Sequence, residues 1–103
     1  MANTEKPYAR YYIVRKCQTM CRGDAKAGSS FRQFVITSND WISTLGKFQV
    51  LGLEGVSGNV TVNVLIDEDF NGLDAAAREF KAQVGEAEKQ GFRPATKLHA
   101  DEV

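Results

Sequence analysis

Cys17 and Cys21, separated by three residues, are the first pair in this chain whose type and spacing could do chemistry. A structural zinc site needs four ligands. The chain offers two Cys and one His, and that histidine, His99, lies near the C-terminus. If residues 17–21 are extended, both sulfurs lie on one face, about 13 Å apart at ~3.3 Å per residue. That is too far for a disulfide or a shared ion, so we expect buried free thiols and no metal site. A Ser–His or Cys–His pair would have to recruit His99. Asp67, Glu68 and Asp69 form a second cluster, which could bind a divalent cation through oxygen. The plainer reading is a solvated strand end that complements the N-terminus of a following helix. No Walker loop and no dinucleotide glycine pattern occur. We therefore expect no catalytic residue, no cofactor and no enzymatic activity. Arg22-Gly23-Asp24 and Asn59-Val60-Thr61 match an adhesion tripeptide and a glycosylation acceptor, which have meaning only in an exported chain.

The remaining candidates bind rather than react. Tyr8, Arg10, Tyr12, Lys16, Gln18 and Arg22 share one parity, with Lys26 and Arg32 expected near the same edge. Stacking aromatics interleaved with cations suit single-stranded nucleic acid. The same residues also serve β-propensity and solubility on an exposed strand, and Tyr and Arg are enriched at protein interfaces. A second candidate is the acidic face formed by Asp74, Glu79, Glu86 and Glu88, which could imitate phosphate charge. It is interleaved with Arg78, Lys81 and Lys89, as in an ordinary solvated helix.

The net charge of zero hides an asymmetry. Residues 1–50 carry eight Lys/Arg and three Asp/Glu, and residues 51–103 carry five and ten, so the halves differ from +5 to −5. Such a split suggests a positive and a negative side, and charge asymmetry hints at polyanionic partners. The pI of about 6.6 is low for a dedicated nucleic-acid binder. The length of 103 residues suits one domain. No secretory pattern and no long apolar run are present, so we expect a cytoplasmic chain with reduced thiols and no membrane contact.

The elements that must position these groups are legible as patterns. Residues 1–7 read as a disordered lead, 8–94 as a single domain and 95–103 as a flexible acidic tail. Residues 8–22 alternate like a strand, with odd positions Ala9, Tyr11, Ile13, Cys17, Thr19 and Cys21 apolar or small and even positions polar or aromatic. Val14 and Arg15 break that alternation. Strands follow at 31–37, 47–53 and 60–66, the last with Val60, Val62, Val64 and Ile66 on one face. A short helical turn is expected after Ser38 or Asn39, ending at Gly46, and Trp41 there reads as a core plug. A long helix is expected over 72–90, with Leu73, Ala76, Ala77, Phe80, Val84 and Ala87 as its apolar stripe. Asn71 is its expected N-cap, and Gly91, Phe92 and Pro94 its stop.

The predicted fold is α+β: a four-stranded antiparallel meander with one long C-terminal helix packed on one face, ββββα, leaving the other face open. That element order is similar to small single-stranded-DNA-binding coactivator and whirly-type modules, and the similarity extends to element order alone. For function, we expect a small accessory protein acting through a protein–protein interface. It would be an inhibitor or adaptor of the kind phage and plasmid genomes supply, with an unidentified protein partner and a homodimer as one form. The alternative is a single-stranded nucleic-acid-binding module using Tyr8, Arg10, Tyr12, Lys16, Arg22 and Arg32.

Overall fold

A computed structural model describes residues 11, 13–23, 28–39, 43–59 and 61–95. Five strands and one helix follow in order: β1 Ile13–Arg22, β2 Ser30–Ser38, β3 Lys47–Val56, β4 Val62–Asn71, α1 Leu73–Lys89 and β5 Arg93–Pro94. The sheet order is β4-β3-β2-β1-β5, every neighbour antiparallel. The expected meander is present, with one addition: after the helix the chain returns to the far side of β1 and adds a two-residue strand. Pro94 lies opposite Met20 there and has no N–H to offer, which suits an edge. The expected lead at 1–7 and residues 96–103 of the expected tail lie outside the described residues.

α1 lies against β2, β3 and β4. Its spacing of three and four brings Ala76, Phe80 and Ala87 onto Met20, Phe34, Ile36, Phe48 and Val50 of the sheet, with Phe92 completing the core. Leu73 and Val84 are partly buried beside them, whereas Ala77 is exposed. The rings of Phe34 and Phe80 meet edge to face, 6.5 Å between centroids. Gly52 makes room for this packing: a Cβ there would stand 2.8 Å from Phe34 Cδ1 and 2.9 Å from Ile66 Cγ2.

The helix ends differ from expectation at one side and match it at the other. Asn71 is the last residue of β4, and the N-cap is Gly72, at φ 92° and with no side-chain cap. The connection between β2 and β3 supplies acceptors instead: Gly72 N–H donates to the Gly46 carbonyl and Leu73 N–H to that of Thr44, both at 2.8 Å. At the C-terminus, Gly91 N–H donates to Glu88 O and Phe92 N–H to Ala87 O, with Gly91 at φ 95°. These are the two bonds of a Schellman stop, and it drives Phe92 into full burial.

Two register shifts decide which side chains meet the helix. In β1 the pairing slips between Val14 and Lys16, so Arg15 is the extra residue. In β4 it slips opposite Gly52 and Leu53, so Leu65 is extra. A one-residue slip moves every later side chain to the other face. The even positions Lys16, Gln18, Met20 and Arg22 therefore share the helix side with Phe34 and Ile36, and Cys17, Thr19 and Cys21 point away, opposite to the parity expected from the sequence. Likewise Val62 and Val64 sit on the outer face while Ile66 packs on the core, so the expected single face of β4 is divided. The turn expected after Ser38 is not helical where it is described: Ser38 is buried within β2 and Thr44–Gly46 are bends, while residues 40–42 lie outside the described residues.

Replacing Phe92 with Ala should cost about 3–5 kcal/mol of unfolding free energy, measured by urea denaturation. Gly52→Ala should cost about 1–3 kcal/mol by overpacking against Phe34 and Ile66. A neutral Gly52→Ala would contradict the close approach of these side chains.

Candidate functional site

The cations expected to form a solvent-facing strip on β1 are placed against the helix side instead. Lys16 Nζ lies 5.2 Å from the centroid of Phe80. The guanidiniums of Arg22 and Arg32 pack on the ring of Phe92 at 4.8 and 4.7 Å. Arg32 also pairs with Glu54 at 2.9 Å, with its side chain only 11% exposed, and donates to Gln90 Oε1 at 3.0 Å. Arg22 donates to the Gln90 carbonyl at 3.1 Å. Two cations thus sit at the negative end of α1. Of the residues assigned to nucleic acid, the structure brings Arg22 and Arg32 together around Phe92 and sets Lys16 apart at Phe80. Tyr8, Arg10 and Tyr12 lie outside the described residues.

The outer face has two different ends. At one, Thr37 and Gln49 are fully buried and Leu51 nearly so, which corrects the expectation of an open face. A polar chain runs across it: Thr37 Oγ1 donates to Gln49 Oε1 at 2.9 Å, and Gln49 Nε2 donates to Asp67 Oδ1 at 2.9 Å. Tyr11, just before β1, donates its hydroxyl to Asp69 Oδ2 at 3.2 Å. Asp67 and Asp69 therefore hold structural hydrogen bonds inside β4 and do not end it.

The other end of the outer face is apolar. The facing rows are Cys17–Val35, Thr19–Gln33–Leu53–Val64 and Cys21–Phe31–Gly55–Val62. The first row continues through Leu51 to Asp67, among the described residues the one charged side chain bordering these rows. Most side chains of the three rows are half-buried; Val64 remains 48% exposed and the bulged Leu65 beside it 37%. The polar members satisfy one another, Gln33 Nε2 donating to Thr19 Oγ1 at 3.1 Å. Gly55 lies beneath the Phe31 ring, whose Cζ a Cβ would approach to 2.9 Å. Composition did not single out this patch. The signal for it was the break at Val14 and Arg15, which marks the bulge that turns Cys17, Thr19 and Cys21 outward.

Both thiols are free, but neither is buried as expected: Cys17 is exposed and Cys21 half-buried, because the bulge at Arg15 turns them to the outer face. Desolvation by the apolar face raises the pKa of each. Neither thiol is activated, because low-pKa nucleophiles need a cationic setting. Among the described residues, no group of three His, Cys, Asp or Glu comes together to hold a metal. Also among them, no helix is long and apolar enough to cross a membrane.

The acidic residues of α1 sit on its solvent side. Asp74, Glu86 and Glu88 are exposed, and Glu79 is half-buried and accepts from Gln83 Nε2 at 2.8 Å. Between α1 and β1 an open cleft of about 350 Å³ is lined by Lys16, Gln18, Ala77, Phe80, Lys81 and Val84. No protein-family model, curated protein or solved structure matches the chain.

The raised thiol pKa values predict slow alkylation of both cysteines by iodoacetamide, with rates that climb only above the ordinary thiol range. The neutral thiols favour the folded state below that range, and this contribution is lost as pH rises through the folded-state values. Rapid modification at pH 7 would contradict the placement. Arg32→Ala should destabilise by about 1–3 kcal/mol through the orphaned Glu54 and lost packing on Phe92, read by thermal denaturation.

Proposed function

We propose that this chain is a small non-enzymatic protein-binding module that uses the outer face of its sheet as the contact surface. The observation that supports this reading is the charge-free, half-exposed apolar patch around Leu53, Val64 and Phe31. Depletion of charge at the centre of a patch, with polar groups at the rim, is the compositional mark of an interface. The partner that fits is a protein with an apolar, uncharged face of its own, so the module acts as an adaptor or inhibitor of a larger assembly. A second copy of this chain is one such partner. The nucleic-acid reading draws less support, because Lys16, Arg22 and Arg32 pack on phenylalanines and helix-end acceptors. The acidic side of α1 is a weaker alternative interface, given its interleaved Arg78, Lys81 and Lys89.

The test is partner capture by cross-linking from the native cell extract, comparing the full chain with its Val64→Asp variant. Val64 is half exposed within a strand, so the change should cost about 1 kcal/mol, the span of strand propensities, and leave the chain folded. Loss of the captured protein in the variant, while it still melts in a single cooperative transition above the capture temperature, is the expected result. Undiminished capture would overturn the outer face as the site. Fluorescence anisotropy with a labelled single-stranded oligonucleotide, at about 50 and 200 mM salt, should show no salt-dependent binding. Micromolar, salt-sensitive binding would favour the nucleic-acid alternative.

A further inference from the structure

Among the described residues, the edge of β1 is only partly used. β5 pairs with it at Met20 and Cys21, and Ala95 N–H donates to the Thr19 carbonyl at 2.9 Å. In an antiparallel strand the N–H and C=O of one residue point to the same side, and alternate residues share that side. Thr19 thus fixes the parity, and Cys17 presents the next outward N–H and C=O. Among the described residues no strand pairs with the β1 edge beyond Met20 toward its N-terminus. The chain itself shows that this edge accepts an added strand, since β5 is one.

The surface beside the unpaired length is specific. Lys16 and Gln18 point to the helix side of the sheet, where α1 covers β2, β3 and β4. The resulting cleft has an apolar wall of Ala77 and the half-buried Val84, with the buried Phe80 at its floor beneath Lys16, and Lys81 is the second lysine that lines it. A strand laid along β1 would place every second side chain over this cleft. Two such side chains, two residues apart, would meet the apolar wall and the lysine pair. The opposite margin of the sheet, β4, carries Asp67, Glu68 and Asp69, acids that discourage strand addition, whereas a bulge is common to both margins, at Arg15 in β1 and at Leu65 in β4.

We propose that the β1 edge binds an extended peptide segment of a partner protein by strand addition. The backbone of Cys17 would exchange hydrogen bonds with the segment, and the cleft would select an apolar residue and an acidic residue spaced i, i+2. This is a second site, independent of the outer face, and it binds a strand where the outer face binds a surface. Main-chain hydrogen bonds supply affinity in this mode, and alternate side chains supply specificity. The acidic preference follows from charge complementarity with Lys16 and Lys81.

The experiment is selection of a random decapeptide display library on the immobilised full chain, followed by amide hydrogen exchange with the enriched peptide. Enriched sequences should carry the apolar-x-acidic spacing. Their affinity should fall about tenfold on the double change Lys16→Glu and Lys81→Glu. The Cys17 amide should exchange quickly in the free chain and slow down with peptide. Val64→Asp should leave this binding intact, which separates failure here from failure of the outer-face reading. Absence of enrichment, or enrichment of basic peptides, would overturn the proposal. A Cys17 amide protected without peptide would also overturn it: at every protein concentration, the chain's own residues 96–103 fill the edge; only at high concentration, a second copy does.

Discussion

Burial of the apolar stripe of α1 on one face of the sheet is the constraint from which the other features follow. Phe80 is seated against Phe34, and Gly52 is held to a hydrogen side chain so that Phe34 and Ile66 can close beneath the helix. The Schellman turn at Gly91 then fixes the direction in which the chain leaves α1. That direction buries Phe92 and delivers Arg93 and Pro94 to the edge of β1. One packed face, with its two ends tied by backbone hydrogen bonds, sets the position of every surface available for contact.

The cations of β1 and β2 show how packing redirects residues that look functional. An arginine over a phenylalanine ring contributes both apolar contact and cation–π attraction. Arg22 and Arg32 do this on Phe92, while Arg22 also donates to the Gln90 carbonyl at the end of α1, where carbonyl groups lack partners, and Arg32 to the Gln90 side-chain oxygen. The polarity of the sequence halves is also given a direction. The meander puts β1 and β4 three strands apart, so the cations of the first and the acids of the second lie on opposite sides of the sheet.

Several elements were legible in the sequence because they rest on local rules. The stripe at Ala76, Phe80 and Ala87 has helical spacing, and Gly91 with Phe92 forms a stop that needs only neighbouring residues. The hairpin glycine Gly58 has the positive φ that a turn requires. The N-terminus of α1 was misread because its acceptors come from Gly46 and Thr44, more than 25 positions away. A side-chain cap at Asn71 was the only solution visible locally. The fifth strand was missed for the same reason, since two residues carry no period.

The sequence by itself determined the α+β class, the long helix and its C-terminal stop, because each depends on periodicity or on one residue's backbone freedom, whereas the meander order was the default of sequential pairing that the tertiary structure had to decide. Tertiary structure alone decided which face of β1 turns inward. The bulge at Arg15 left a trace in the sequence, the broken alternation at Val14 and Arg15, and the one at Leu65 left none; each reverses the parity across it. That reversal takes Lys16 and Arg22 out of a predicted binding strip and sets Cys17 and Val64 on the outer face. A period-two pattern shows that two faces exist, and only the packing of the helix selects the one that is buried.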